Sequence, residues 1–301
     1  YNFGNAVLSA AGDTKRPLYY LAFAGVVNVI LNLFFVIVCH LGVAGVALAS
    51  MISQFISAFL ILRALLTGKE KYCLRLSEIR FDKRKAVGIL QIGIPSAFQY
   101  SLFAFANLFV QSSVNSFDHV LVEGNSAAAN ADPLVYDMMA AFYTACSSFI
   151  AQNFGARKKK RILQTYLICL FYSFITSLVL GVGIYLARYP FLYLFTSDKA
   201  VVEAGITRLS IMALSYSASA FMDASIAASR GLGKTAVPTF VVVMGSCVFR
   251  IIWIYTIFAY FHTIQSLYIL YVFSWGITAI AENIYFFHVY RHTLTEKKEL
   301  C

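Results

Sequence analysis

The chain has 301 residues, of which 60% are hydrophobic and only 13% are charged. Because soluble domains carry about 25% charged residues, this composition excludes an ordinary soluble domain and indicates a helical protein that crosses the membrane several times. The net charge of +10 does not indicate nucleic-acid binding, since the basic residues lie in short loops between apolar stretches rather than on one face.

Apolar stretches of membrane-spanning length recur along the whole chain, and eight spans are predicted. Residues 1–11 resemble the end of a helix, and the first two spans follow at about 17–39 and 43–66. A connector at 69–85 alternates apolar and basic residues, so we expect it to lie along the cytoplasmic membrane surface. Six further spans are predicted at about 86–117, 121–154, 162–187, 204–229, 238–260 and 267–290, followed by a short basic tail.

The loops between these spans alternate between rich and poor in basic residues. Lys and Arg are abundant around Lys15, in the connector, at residues 157–161, around Lys234 and in the tail. They are scarce in the intervening turns at His40, Asp118, Arg188 and His262. Under the positive-inside rule, this alternation predicts a cytoplasmic C-terminus.

Residues 12–17 are repeated downstream as residues 233–238. Both segments read Gly-x-Thr-x-x-Pro, with Gly12, Thr14 and Pro17 in the first copy and Gly233, Thr235 and Pro238 in the second. Each copy precedes about twenty apolar residues, the length of one membrane crossing. Proline is tolerated in the first turn of a helix, so each copy predicts a helix start. The repetition predicts two similar halves, which is a common construction among membrane transporters.

The repeat also predicts how the spans are shared between the halves. Its two prolines, 17 and 238, are 221 positions apart. Two equivalent six-helix halves would then require roughly 140 residues, or about four helices, before the present first residue. Residues 1–68 are accordingly predicted to hold the last two helices of an N-lobe, and residues 86–301 a complete six-helix C-lobe.

Several further motifs follow one another along the chain. They are Gly93-Ile94-Pro95 with Gln99, Gly124-Asn125, Gln152-Asn153-Phe154-Gly155-Ala156, Arg230-Gly231-Leu232-Gly233, Arg250-Ile251-Ile252-Trp253-Ile254 and Ser274-Trp275. With the two Gly-x-Thr-x-x-Pro segments, they make nearly the whole chain resemble the multidrug and toxic compound extrusion (MATE) transporters. The sequence departs from the family pattern at Ser9-Ala10, Glu123 and Pro133. These departures bear on the subgroup that the chain resembles rather than on the family.

The resemblance implies an all-α, MATE-like membrane fold with twelve helices in two lobes, eight of them in this chain. It also implies a Na⁺- or H⁺-coupled antiporter that exports organic cations or drugs by alternating access. We expect a monomer in the bacterial cytoplasmic membrane whose partners are small cationic substrates and membrane lipid. No nucleic-acid partner and no cofactor other than the coupling ion is expected.

Three other classes of function compete with this one: an integral-membrane enzyme, a lipid-linked oligosaccharide flippase and, ranked third, a passive channel or scaffold. The histidines are dispersed at His40, His119, His262, His288 and His292, and the cysteines at Cys39, Cys73, Cys146, Cys169, Cys247 and Cys301. This pattern predicts no metal site, no disulfide framework and no enzyme activity. A lipid-linked oligosaccharide flippase of the same superfamily would need extra cationic residues to hold pyrophosphate. Arg250 is interpreted as the one basic residue at mid-span, which ranks the flippase second.

One face of the fourth predicted span combines amide, carboxylate, aromatic and thioether side chains. At 100° per residue, the members of this face lie within about 40° of Asn125: they are Asn125, Asp132, Tyr136, Met139 and Tyr143. Aromatic rings, a thioether and one carboxylate are what a pocket for bulky organic cations needs. Pro133 cannot donate to the carbonyl of Ala129, which would expose backbone beside Asp132. Alternatively, Pro133 is only a kink and Asp132 pairs with a basic residue.

Two other carboxylates are cation-coupling candidates alongside Asp132. Asp223 shares a face of the sixth span with Met212, Tyr216 and Ser219. It either serves transport or is hydrated or paired near the cytoplasmic end. Glu282, on the eighth span, is either a proton carrier or half of a buried ion pair with Arg250, and the ion pair is favoured.

The third predicted span carries amides rather than charges. Asn107, Gln111 and Asn115 follow one another in this span at four-residue spacing, and Gln99 precedes them by two turns. Uncharged amides in a membrane usually form hydrogen bonds between helices. We favour that structural role, with lining of the substrate cavity as the alternative.

Overall fold

The computed structural model describes residues 1–68 and 73–292, and regular structure in those residues is helical. Eight of the described helices are long and apolar enough to cross a membrane. Chain contacts divide the protein into a first unit, Tyr1–Lys83, and a second unit that begins at Arg84. Residues 69–72 of the predicted connector and the predicted basic tail after residue 292 lie outside the described residues.

The helices follow the predicted order. The first unit contains α1 (Asn2–Ala10), α2 (Lys15–Val38) and α3 (Gly42–Thr67). The second contains α4 (Lys83–Val114), α5 (His119–Ala129), α6 (Ala131–Gly155), α7 (Lys159–Leu186), α8 (Arg188–Leu192), α9 (Lys199–Gly231), α10 (Ala236–Phe261) and α11 (Ile264–His292). A membrane-length helix therefore occupies the position of each predicted span, with α5 and α6 together forming the fourth.

Several boundaries differ from the prediction by a few residues. Residues 83–85, assigned to the connector, form the first turn of α4. The fourth span breaks at Asn130, so Pro133 falls in the first turn of α6, where proline is tolerated. The sixth span begins five residues early, at Lys199, because the Asp198 side chain accepts a hydrogen bond from the backbone N–H of Ala200 at 2.8 Å and caps α9.

Both Gly-x-Thr-x-x-Pro segments have the same local conformation. Thr14 directly precedes α2 and Thr235 directly precedes α10, which places each proline in the first helical turn. Two residues before each threonine, Gly12 has a φ of +92° and Gly233 a φ of +77°. Glycine adopts this left-handed region without the steric cost that other residues meet, which accounts for the residue type at both turns.

Helix α9 is the central element of the second unit. In its most apolar window 67% of the residues are buried, and the helix packs against α5, α6, α7 and α11. Many of its buried residues are small, as in the pairs Ala213 and Ala220 or Ala224 and Ala228. Small residues let helices approach closely in a membrane, so α9 supports the surrounding helices and presents side chains to all of them.

Gly181 sets the distance between α7 and α9, and the substitution Gly181→Ala tests this. A Cβ atom at Gly181 would lie 2.0 Å from the carbonyl oxygen of Ala213, whereas one at Gly183 would meet nothing within 4 Å. We expect Gly181→Ala to lower the free energy of unfolding by about 1–3 kcal/mol through overpacking. Gly183→Ala is the matched control and should be neutral or slightly stabilising. Thermal unfolding in one detergent measures both, and equal midpoints would contradict the close approach.

Candidate functional site

A cavity of about 560 Å³ lies within the second unit. Side chains from α4, α6, α9, α10 and α11 line it, so the central helix contributes to its wall. Small-molecule sites generally occupy about 300–1,000 Å³ and are lined mainly by apolar and aromatic groups with a few polar ones. The cavity therefore has the size of a site for a drug-sized molecule.

The sequence-predicted residues converge on this cavity from three helices. Its wall includes Gln99, Asn107 and Gln111 of α4, Asp132, Tyr136, Met139 and Tyr143 of α6, and Tyr216 and Asp223 of α9. Arg250 of α10 and Trp275 of α11 also line it. The helix faces inferred from 100° spacing thus meet around one space. Asn125 and Glu282 lie outside its lining.

Asp132 forms an ion pair with the buried Arg208. Arg208 donates from Nη2 to Asp132 Oδ2 at 2.5 Å and from Nη1 to Asn125 Oδ1 at 2.6 Å. Tyr216 donates its hydroxyl to the other oxygen, Oδ1, of Asp132 at 2.5 Å. Asp132 thus follows the alternative considered from the sequence, in which a basic residue neutralises it. Asn125 contributes by binding Arg208, with its own side chain buried behind the cavity wall.

The sequence interpretation missed Arg208. The predicted sixth span began at 204, which placed Arg208 near its edge, whereas α9 begins at Lys199 and buries this arginine. The signal was present, because Arg208 precedes Met212 by four residues and Tyr216 by eight, which puts all three on one helical face.

The amides of α4 form hydrogen bonds and also border the cavity. Gln99 Oε1 accepts from Arg230 Nη2 at 2.9 Å and from Thr239 Oγ1 at 3.3 Å, which ties α4 to α9 and α10. Gln111 donates to Asn115 within the same stretch of chain at 2.9 Å. The structural and cavity-lining roles, considered as alternatives from the sequence, coexist at Gln99.

Arg250 does not form the predicted ion pair with Glu282. It donates instead from Nη1 to Asn107 Oδ1 at 2.8 Å and from Nε to Ser274 Oγ at 3.3 Å. The reason is the antiparallel register of α10 and α11. Ser274 is level with Arg250, and Glu282, eight residues further along α11, is about 12 Å away along the helix axis.

Asp223 and Glu282 differ in their access to the cavity. Asp223 lines it, and its Oδ2 has no hydrogen-bond partner among the described residues. Glu282 is fully buried, and neither of its carboxylate oxygens has a partner there. In the described ranges, neither carboxylate is within 4 Å of a basic group. Of the three cation-coupling candidates, Asp223 is thus the one that lines the cavity without an ion-pair partner among the described residues.

The charged residues around the cavity are balanced in number. Arg208, Arg230 and Arg250 line it together with Asp132, Asp137 and Asp223. The expectation that Arg250 is the one basic residue at mid-span is therefore wrong. The cavity presents both signs of charge to a ligand, within a wall that also contains aromatic and thioether groups.

Comparison with known proteins relates the chain to transporters. Residues 95–256, more than half of the chain, match the MatE family. The probable multidrug resistance protein YpnP of Bacillus subtilis is 33% identical over 54% of this chain and 36% of that protein. The probable multidrug resistance protein NorM of Thermotoga maritima is 24% identical over 78% of this chain and 51% of that protein. The chain thus spans about a third to a half of the length of these relatives.

A solved structure shows the same fold. A MOP superfamily transporter from Pyrococcus furiosus superposes with a TM-score of 0.90 at 20% sequence identity, covering 98% of this chain and 66% of that one. At this identity the likeness concerns the fold alone. The all-α, MATE-like membrane architecture predicted from the sequence is confirmed.

Proposed function

Because the chain belongs to the MatE family, we propose that the whole protein is a secondary active efflux antiporter in a bacterial cytoplasmic membrane. It exports small organic molecules in exchange for Na⁺ or H⁺. The observation that carries this proposal is the 560 Å³ cavity, whose lining combines aromatic and thioether side chains with Asp223, a carboxylate that has no ion-pair partner among the described residues. The similarity to multidrug resistance proteins supports the same assignment.

We place the coupling ion at Asp223. Asp132 is already matched by Arg208, and Glu282 lies outside the cavity lining. Asp223 has an unpartnered oxygen and lies on α9, which contacts most of the other helices of the second unit. A cation that binds there and favours one conformation would shift the population between inward-open and outward-open states. Alternating access around one fixed site then exchanges the ion for the substrate.

The organic-cation substrate expected from the sequence depended on Asp132 as an unpaired negative charge. With that charge matched by Arg208, the aromatic side chains of the wall remain for apolar and cation–π contacts. We therefore assign the substrate as a small aromatic or amphiphilic molecule.

A lipid-linked oligosaccharide flippase is the second candidate. It is favoured by one observation, the three arginines that line the cavity, because guanidinium groups bind phosphate oxygens in a bidentate manner. The aromatic lining on α6, α9 and α11 favours the efflux assignment, which we rank first.

Transport by the whole protein in liposomes tests the assignment. Two dyes with the same xanthene frame, cationic rhodamine 6G and anionic fluorescein, make the assay independent of substrate charge. We expect at least one dye to move against its concentration gradient when a Na⁺ or H⁺ gradient is imposed, and to stop when monensin or nigericin dissipates that gradient. Equilibration without any gradient would indicate a passive channel. Movement of a fluorescent polyprenyl diphosphate, with neither dye transported, would indicate the flippase.

A further inference from the structure

We propose that Arg250 forms an anion subsite in this cavity and that the ligand carries a carboxylate or phosphate group attached to an aromatic or apolar body. The anion-binding part stands on the geometry of the second unit alone. The statement that such molecules are transported rests on the function proposed above.

The Arg250 guanidinium is buried without a counter-ion. Its side chain is fully buried, yet the groups that accept its hydrogen bonds, Asn107 Oδ1 and Ser274 Oγ, are neutral. Its Nη2 has no hydrogen-bond partner within residues 1–68 and 73–292, and none of the ion pairs formed there includes it. A charge inside a membrane protein is costly unless it is paired, so an unpaired arginine at a cavity wall indicates a partner supplied by a ligand.

The surroundings of Arg250 restrict how a ligand can approach. The Phe103 and Tyr271 rings lie 4.8 and 4.5 Å from the guanidinium carbon and cover the group. Ser274 Oγ accepts the hydrogen bond from Nε, so the guanidinium edge formed by Nη1 and Nη2 is the one left for a ligand. A carboxylate or phosphate binds such an edge through two parallel hydrogen bonds. Asn107, whose neutral amide holds Nη1, would give way to the ligand's anion.

The backbone at this position is also unusual. The short α-helical segment Phe249–Trp253, which contains Arg250, lies between π-helical stretches at Val243–Val248 and Ile254–Phe258. Stretches of π-helix inside α-helices occur frequently at functional sites. They widen the helix on both sides of the arginine and hold it at a defined position in the wall.

Arg208 lines the same cavity and differs from Arg250 in having a counter-ion within the protein. It has a carboxylate at 2.5 Å and a further amide acceptor at 2.6 Å, so its charge is matched within the protein. Arg250 is buried more completely, at 0% exposed against 7% for Arg208, and lacks that match. This contrast assigns the ligand-binding role to Arg250.

Three naphthalene compounds that differ in one substituent test the subsite. They are 2-naphthoate, 2-naphthalenemethanol and 2-naphthylmethylammonium, and calorimetry on the whole purified protein measures their dissociation constants. We expect 2-naphthoate to bind about tenfold more tightly than the alcohol, as charge-assisted hydrogen bonds allow. Equal affinities of the three compounds, or tightest binding of the ammonium compound, would overturn the proposal. This outcome would follow if a carboxylate elsewhere in the whole protein paired with Arg250.

The variant Asn107→Asp places a carboxylate against Arg250 Nη1 without removing the arginine. It should remove the preference for 2-naphthoate and raise the unfolding temperature, because the buried cation gains a counter-ion. Asn115→Asp is the matched control, since Asn115 follows two turns later and does not line the cavity. It should keep the preference.

Two direct substitutions complete the test. Arg250→Gln should abolish the preference for 2-naphthoate, and Arg250→Lys should retain part of it. An anion preference that survives in both Asn107→Asp and a folded Arg250→Gln protein would place the anion elsewhere and refute the subsite. Dye transport separates this result from the proposed function: gradient-driven movement without an anion preference refutes the subsite alone.

Discussion

Replacing Asp132 by leucine should lower the free energy of unfolding by about 3–5 kcal/mol, because it leaves the buried Arg208 cation without its counter-ion. The reverse change, Arg208→Met, should have a smaller effect of about 1–2 kcal/mol. The asymmetry follows from exposure. The Arg208 side chain is 8% exposed and cannot regain water, whereas Asp132 is 38% exposed and keeps access to the cavity and to the Tyr216 hydroxyl.

Thermal and denaturant unfolding in one detergent measure these changes. Asp137→Leu is the matched control, since Asp137 lies on the same helix, is exposed, and forms no ion pair within the described part of the chain. Its effect should stay within about 0.5 kcal/mol. The double variant Asp132→Leu/Arg208→Met should be more stable than Asp132→Leu alone, because no unpaired charge remains. A loss in the double variant equal to the sum of the single losses would contradict the ion pair.

The helices were predictable because each span carries its own signal. A run of about twenty apolar residues can be recognised without knowing its neighbours, and a helix boundary shifts by only a few residues when a cap is overlooked. Asp198 is such a cap: it starts α9 at Lys199, five residues before the predicted start. That small shift concealed Arg208, the partner of Asp132.

The pairing of side chains was less predictable, because it depends on register between helices. The tight turn at His262 makes α10 and α11 antiparallel, so residues equally distant from the turn face each other. Ser246 accordingly faces Thr278 at 3.1 Å, and Arg250 faces Ser274. Periodicity along α11 identified the face of the helix that carries Glu282. The position of Glu282 along the helix axis relative to Arg250 is fixed only by the turn, and it places the two residues too far apart for an ion pair.

The helix faces that line the cavity were less predictable than the helices themselves but more predictable than the side-chain pairs. Tyr136, Met139 and Tyr143 were grouped by their spacing on one helix, and all three line the same space. Asn125 was grouped with them, yet the break at Asn130 separates it from α6, and its amide binds Arg208 from α5 instead. Spacing predicts a shared face only as far as the helix continues.

The second large effect is expected at Asp223, where Asp223→Asn should reduce gradient-driven dye transport to the rate seen without a gradient. Asparagine keeps the size of the side chain but can neither bind a proton at working pH nor attract Na⁺ with a full charge. Exchange of labelled for unlabelled dye, which needs no coupling ion, should persist. This combination separates loss of coupling from loss of folding or of substrate binding, because both of those would also abolish exchange.

The control for Asp223→Asn is a carboxylate on the same helix that lies outside the cavity. Glu203 is exposed near the start of α9 and accepts a hydrogen bond from the Tyr189 hydroxyl at 3.2 Å. Glu203→Gln should leave both gradient-driven transport and exchange at wild-type rates. If Asp223→Asn also retained gradient-driven transport, the coupling ion would bind elsewhere. Asp223 would then be a hydrated carboxylate two helical turns from Arg230, and the proposed mechanism would lose its coupling residue in this chain.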